Sequence, residues 1–105
     1  AKYLERKGYQ IIKRNFKSRT GEIDLIALYN KTLVFVEVKT RLSQKFGQPY
    51  EAVTKWKLKS IVTTGQFFSL LHPKLPERLQ IDVVSVRLDY NGKLIKLEHL
   101  PNVTA

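Results

Sequence analysis

The fold is decided by residues 21–41, GEIDLIALYNKTLVFVEVKTR, in which Asn30-Lys31 separates two largely apolar segments. Residues 22–29 alternate at first and then become wholly apolar, and residues 32–39 are dense in Val and Phe. Both patterns predict β-strands. Asn30-Lys31 predicts a chain reversal, since Asn tolerates the left-handed backbone of tight turns. The stretch therefore indicates a β-hairpin.

A helix and a strand are predicted before this hairpin, and a second helix after it. Residues 1–7 predict the end of a longer helix that begins upstream of Ala1, and residues 9–16 predict a strand. The second helix is predicted from Pro49 to about Leu71, because apolar residues recur there at roughly helical spacing.

The last part of the chain predicts two more strands, residues 80–88 and 93–97, joined by a tight turn at Asn91-Gly92. The final residues predict a frayed tail. The order α-β-β-β-α-β-β indicates an α+β fold with one mixed sheet covered by helices. The connection from residue 39 to residue 80 has the length of a crossover, so strands 32–39 and 80–88 are expected to be parallel neighbours.

Length and composition predict one basic domain over residues 1–105. Nineteen Lys and Arg stand against nine Asp and Glu, a net charge of +10 that favours polyanions such as nucleic acid. The chain has no cysteine, which excludes disulfides and thiolate metal sites. No apolar run approaches the roughly 18 residues of a membrane span, and no signal peptide is visible. We therefore expect a cytoplasmic protein without a membrane partner.

Charged side chains of the hairpin predict the site of chemistry. Because side chains alternate along a strand, Glu22 and Asp24 share a face, as do Glu37 and Lys39. A loop at Asn30-Lys31 sets Asp24 opposite Glu37 and Glu22 opposite Lys39. Opposed carboxylates repel each other, and a divalent cation such as Mg²⁺ removes this repulsion. The alternative is an ordinary solvated face of a half-buried sheet.

The segments Gly21–Ala27 and Val34–Arg41 closely resemble the YraN-like family of small bacterial proteins. This family is related in fold to Holliday-junction resolvases and restriction endonucleases of the PD-(D/E)xK superfamily, and the resemblance continues over nearly the whole chain. It implies a restriction-endonuclease-like core with helices flanking the sheet.

The resemblance also implies roles for individual residues. Asp24, Glu37 and the main-chain carbonyl of Val38 would hold Mg²⁺ or Mn²⁺, Lys39 would be the catalytic lysine, and Glu22 would be an auxiliary acid. Related nucleases carry a further glutamate on the first helix, at a position before Ala1. Branched or junction DNA is the substrate that the resemblance suggests.

Other charged and aromatic residues have competing interpretations. Six basic residues are candidate nucleic-acid contacts, with a solvated surface as the alternative: Lys13, Arg14, Lys17, Arg19, Arg41 and Lys57. Core packing is expected for Trp56 and for Phe67-Phe68. Asp82 is either a satisfied buried acid or a further site residue, and the sequence leaves both open.

These observations support three hypotheses. The first is a Mg²⁺- or Mn²⁺-dependent DNA endonuclease that uses water as its nucleophile, with Asp24, Glu37, Lys39 and Glu22 in the site. The second is a nucleic-acid-binding module that keeps the fold and the basic surface but does not cut. The third is a subunit that needs a partner, or a homodimer, to complete its site.

Overall fold

The computed structural model describes residues 1–42 and 54–104. Two helices and five strands occur in the predicted order, which confirms the α+β fold: α1 (Lys2–Arg6), β1 (Gln10–Ser18), β2 (Gly21–Tyr29), β3 (Thr32–Leu42), α2 (Lys55–Leu71), β4 (Leu79–Leu88) and β5 (Leu94–Leu100). The predicted start of the second helix at Pro49 lies outside the described residues. None of the helices in the described ranges is long and apolar enough to cross a bilayer.

The strands form one mixed sheet in the order β1-β2-β3-β4-β5. Three neighbouring pairs are antiparallel, and β3 and β4 are parallel, as the length of their connection predicts. The Val- and Phe-rich β3 lies at the centre, where residues 33–36 are almost fully buried. This position suits strand-forming apolar side chains, because both faces of a central strand are covered.

The two faces of the sheet carry separate hydrophobic clusters. On one face Leu4 of α1 packs with Tyr9, Val34 and Val36. On the other face Ile61 and Phe68 of α2 belong to the second cluster, together with five strand residues: Ile23, Ile26, Leu33, Phe35 and Ile81. The hairpin of β2 and β3 is therefore covered by apolar side chains on both faces.

Helix α2 contacts the sheet through a stripe formed by Ile61, Thr64, Gly65 and Phe68. These positions are spaced i, i+3, i+4 and i+7, so they share one helical face. A Cβ at Gly65 would lie 2.6 Å from Cε2 of Phe35, so the absence of a side chain permits this close approach. The helix thus packs closely against the ring of Phe35 on β3.

The expected core packing of the α2 aromatics is confirmed only for Phe68. Trp56 is 80% exposed and Phe67 is 44% exposed, so the prediction is wrong for these two. The physical reason is the helical stripe: Trp56 is five residues before Ile61 and points away from the sheet. Lys57, four residues before Ile61, extends the buried stripe instead.

The expectation of a frayed C-terminal tail is also wrong at Asn102 and Val103. The amide of Val103 donates to the carbonyl of Ile81 over 2.8 Å, and its side chain packs on the α2-side cluster. The amide of Asn102 donates to Asp82. Backbone hydrogen bonds and apolar contacts therefore fix the tail to β4.

Candidate active site

The predicted register of the hairpin is confirmed. Tyr29 pairs with Thr32, and the antiparallel ladder continues to Leu25 and Val36. Asn30 and Lys31 form the turn with φ of 48° and 57°, the two positive angles that a tight two-residue hairpin requires. In this register the next opposed pair is Asp24 and Glu37.

The ladder between β2 and β3 ends at Leu25 and Val36, and beyond it the Asp24 side chain replaces the backbone acceptor. Its Oδ2 accepts a hydrogen bond from the amide of Val38 over 2.8 Å. Strand β2 remains paired with β1 as far as Gly21, its first residue, and β3 remains paired with β4 as far as Leu42, its last residue. The two strands of the hairpin thus separate into a fork whose inner end is marked by Asp24 and Glu37.

The backbone around Asp24 departs from regular strand alternation. Ile23 and Ile26 both pack in the α2-side cluster, whereas Leu25 packs on the α1 side. Side chains an odd number of residues apart face opposite sides of a regular strand, so one alternation is lost between residues 23 and 26. On β1, Asn15 lies across from Asp24 in the register and has φ of 52°. Both strands are therefore irregular beside the carboxylate.

The two carboxylates of the fork are electrostatically coupled. Burial, and then the charge of Asp24, raises the pKa of Glu37 above its usual range, and hydrogen bonding to Asp24 adds to the rise. The ammonium groups of Lys57 and Lys39 lower this pKa and offset part of the shift. The site therefore combines two opposed anions with two nearby cations.

Lys57 reaches this site because of the way α2 begins. The Thr54 hydroxyl caps the helix by accepting from the amide of Lys57 over 3.1 Å. Lys57 consequently lies in the first turn on the sheet-facing stripe, and its Nζ is 3.9 Å from Oε2 of Glu37. Lys57, one of the six predicted nucleic-acid contacts, therefore forms an ion pair with a carboxylate of the opposed pair.

Val38 presents its main chain to the same fork. Its amide points toward Asp24, and the N–H and C=O of one strand residue point toward the same neighbouring strand. The carbonyl oxygen of Val38 therefore faces the fork together with the two carboxylates. An oxygen donor set of this kind suits Mg²⁺, which commonly binds one or two carboxylates and retains water.

A cleft of about 430 Å³ opens beside Asp24. It is lined by Ala1, Arg14, Asn15, Asp24, Leu25 and Val38. The cleft is thus lined by an acidic residue, a basic residue and an asparagine.

Comparisons with known proteins identify the family of the chain. The profile described as "Uncharacterised protein family UPF0102" matches residues 1–86. The chain belongs to UPF0102. This confirms the relationship indicated by the YraN-like resemblance of the hairpin.

Several UPF0102 relatives align over most of their length. A UPF0102 protein of Geobacter metallireducens is 42% identical over 100 residues, which cover 95% of this chain and 80% of that protein. UPF0102 proteins of Caldanaerobacter subterraneus and Alkaliphilus oremlandii are 44% and 45% identical over 103 residues, covering 84% and 86% of those proteins. The similarity therefore spans the hairpin, both helices and β4.

The other predicted site residues of this UPF0102 chain lie around the fork. The predicted pairing of Glu22 with Lys39 is not made within the β2–β3 ladder, because the ladder ends before it. Glu22 instead pairs with Lys17 on β1, with Nζ 3.6 Å from Oε2. The remaining basic candidates are exposed or half-buried on β1, the β1–β2 turn and β3: Lys13, Arg14, Arg19 and Arg41.

Sequence reasoning missed the place of Asn15 in this site. Arg14 was predicted as a contact because it belongs to a basic cluster, whereas Asn15 is neutral and does not belong to that cluster. The available signal was the residue type, since Asn is enriched among the non-glycine residues that adopt a positive φ. Only the structure shows that this strand position has that conformation.

Asp82 resolves as a satisfied buried acid. It is fully buried, and each carboxylate oxygen has two donors. Oδ2 accepts from the hydroxyl of Tyr9 and from Nε2 of His99, both at 2.7 Å. Oδ1 accepts from Nε2 of Gln80 at 2.8 Å and from the amide of Asn102 at 2.9 Å.

Among the described residues no group of three His, Cys, Asp or Glu side chains is placed to hold a metal ion.

Burial and hydrogen bonding act against each other on Asp82. Burial raises the pKa of this carboxyl, but the hydrogen bonds from Asn102, Gln80, His99 and Tyr9 outweigh it, and the pKa lies below its usual value. Burial and the bond to Asp82 raise the pKa of Tyr9, so its hydroxyl remains a donor. The network therefore stabilises a charged carboxylate inside the fold.

Proposed function

We propose that this chain is a Mg²⁺- or Mn²⁺-dependent deoxyribonuclease that hydrolyses phosphodiester bonds with water as the nucleophile. The observation that carries the proposal is the pairing of Asp24 and Glu37 in the fork between β2 and β3, with Lys39 and Lys57 beside them. Opposed carboxylates are unfavourable in a sheet unless a cation compensates them. Burial, and then the charge of Asp24, raises the pKa of Glu37, so repulsion between the two carboxylates contributes to the shift.

The donor set of the fork fits a hard divalent cation. The carboxylates of Asp24 and Glu37 and the carbonyl of Val38 would hold it. When bound there, such a cation supplies Lewis acidity that polarises phosphate oxygens and lowers the pKa of water. The oxygens of the fork thus define where the scissile phosphate is positioned.

The lysines supply positive charge at the same place. Lys39 follows Glu37 by two residues on β3, and its charge lowers the pKa of Glu37, so the two groups are close. Its ammonium stabilises the negative charge that develops on the phosphate, or it orients the attacking water. Lys57 neutralises Glu37 from the helix side and is available to a phosphate oxygen.

Net charge supports a nucleic-acid substrate. The charge of +10 draws the chain to polyanions, and exposed Lys13, Arg14 and Arg19 lie on β1 and the turn that follows it. Junction or branched DNA is the substrate suggested by the YraN-like resemblance. A non-catalytic binding module and a subunit completed by a second copy are the competing functions.

The test is cleavage of labelled linear duplex, single-stranded and four-way-junction DNA. Each substrate is incubated with the protein in Mg²⁺, in Mn²⁺ and in a chelator. We expect metal-dependent cutting by the wild type and by Lys59→Ala, a matched variant of an exposed lysine on α2. Lys39→Ala and Asp24→Asn are expected to lose it by roughly a hundredfold or more.

Two results would contradict the proposal in different ways. Equal cutting by the wild type and Lys39→Ala would assign the activity to a contaminant. An absence of cutting with salt-sensitive DNA binding intact would favour the binding module. Activity that rises steeply with protein concentration, together with a dimer in sedimentation, would favour a site completed by a second copy.

A further inference from the structure

We infer that Asn15 contacts the substrate, with its side-chain amide donating a hydrogen bond to a phosphate oxygen of the DNA strand bound at the fork. The inference rests on the proposed function and deepens it, since it adds a neutral phosphate-binding group to the site. Four observations on β1 carry it.

The first observation is the backbone of Asn15, which has φ of 52° in the interior of β1. Asn tolerates left-handed backbone better than other residues with a Cβ, but such a conformation inside a strand persists where the surroundings impose it, often at functional sites. If backbone conformation were the only requirement, glycine would meet it without strain. The position instead carries an amide side chain.

The second observation is what this conformation does to the side chains. Successive residues of a regular strand face opposite sides of the sheet. Here Arg14 and Asn15, which are adjacent in sequence, line the same cleft as Asp24 and Val38. The irregular backbone thus places two polar residues of β1, one basic and one with an amide side chain, at the cleft that Asp24 also lines.

The third observation is that the amide is available. Asn15 is exposed, and within residues 1–42 and 54–104 its side chain makes no hydrogen bond or ring contact. A phosphate that approaches two carboxylates needs compensating donors, and an amide N–H supplies one without adding charge. Arg14 on the neighbouring position supplies the positive charge.

The fourth observation is the contrast with Asn30, another asparagine with positive φ, at 48°. Asn30 occupies the first position of the two-residue turn between β2 and β3, where positive φ is required by the turn itself. Asn15 lies between Arg14 and Phe16, both paired with β2, and no turn explains its conformation. The two residues therefore form a matched pair for experiment.

The test compares Asn15→Gly with Asn30→Gly. Glycine keeps the positive φ at both positions and removes only the side chain, so both variants are expected to fold with an unchanged or higher urea midpoint. Affinity for a fluorescein-labelled four-way junction and for the matching duplex is measured by anisotropy in a chelator. We expect the Kd of Asn15→Gly to rise by roughly tenfold and that of Asn30→Gly to remain unchanged.

The salt dependence of DNA binding distinguishes a phosphate contact made by a neutral amide from one made by a cation. Because Asn15 is neutral, Asn15→Gly should keep the wild-type slope of log Kd against log salt. Arg14→Ala should reduce this slope by about one unit, as expected for one lost phosphate contact by a cation. A purely structural role of Asn15 would change neither affinity nor slope.

Each outcome decides the inference. A stable Asn15→Gly with wild-type affinity would overturn it and leave the nuclease proposal standing. A wild type that neither binds nor cuts DNA would overturn both. If Asn15→Gly failed to fold, Asn15→Asp would serve instead, since Asp tolerates the same backbone but repels phosphate. Wild-type affinity in that variant would also overturn the inference.

Discussion

The sheet holds carboxylates in two regions that are compensated differently. Asp82 on β4 is fully buried and receives two donors on each oxygen, and its pKa is lowered. Asp24 and Glu37 face each other in the fork of β2 and β3, and the pKa of Glu37 is raised. A carboxylate whose donors are complete stabilises the fold, whereas we propose that the opposed carboxylate pair of the fork binds a cation.

The comparison separates stability from function within one sheet. Removing Asp82 leaves Tyr9, Gln80 and His99 without their acceptor, so the cost falls on the fold. Removing a charge from the fork relieves repulsion between the two carboxylates, so the change is expected to reduce cation binding without lowering the free energy of unfolding. The predictions below test this division, and the largest effect comes first.

The largest effect is expected for Asp82→Ala. The change leaves the donors of the network buried without an acceptor, and we expect the free energy of unfolding to fall by about 3–5 kcal/mol. Urea unfolding followed by circular dichroism measures it. A loss comparable to that of an exposed surface substitution would show that the network does not stabilise the fold.

Acid is expected to remove part of the same contribution. The folded-state pKa of Asp82 is depressed, so its contribution is fully present above the unfolded pKa and is lost as pH falls through the folded one. The loss is smaller than in Asp82→Ala because the protonated carboxyl stays in place. We expect the urea midpoint to fall below about pH 4 and the dependence to flatten in Asp82→Asn.

A single donor of the network is worth less. Tyr9→Phe removes the hydroxyl that binds Asp82 but keeps the ring that stacks on Tyr29, with centroids 4.3 Å apart. We expect a loss of about 1.5–3 kcal/mol, the range for hydrogen bonds to charged groups. Tyr29→Phe keeps the same stack and the Tyr9 hydroxyl, so its midpoint should remain near that of the wild type.

The smallest effect is expected at the fork, and its sign is reversed. Glu37→Gln keeps the shape of the side chain and removes one of two opposed charges, so in a chelator it should raise the free energy of unfolding by about 0.2–1 kcal/mol. Differential scanning calorimetry at neutral pH compares it with the wild type. A clear destabilisation would mean that Lys57 and Lys39 already compensate Glu37 fully.

The hairpin and its register could be predicted because local rules determine both. Alternation and β-branched residues define the strands, and a turn at Asn30-Lys31 leaves one register that faces Asp24 toward Glu37. The parallel pairing of β3 and β4 followed from the length of the connection between them.

The irregular features of the site could not be predicted, because they depend on tertiary packing. In a regular hairpin Glu22 would share a face with Asp24 and lie opposite Lys39. The β2–β3 ladder ends before that position, and Glu22 pairs with Lys17 instead. Lys57 reaches Glu37 because the sheet-facing stripe of α2 is set by the small residue Gly65, not by the apolar pattern that includes Trp56.

The most direct test of the central claim is calorimetric titration of the protein with Mn²⁺. The account predicts that the wild type binds Mn²⁺ and that Glu37→Gln weakens binding by roughly tenfold or more, since it removes a charged oxygen ligand. Glu98→Gln, which alters a partly buried carboxylate paired with Lys96 on β5, should bind like the wild type. No binding by the wild type, or equal binding by Glu37→Gln, would contradict the assignment of the fork as a cation site.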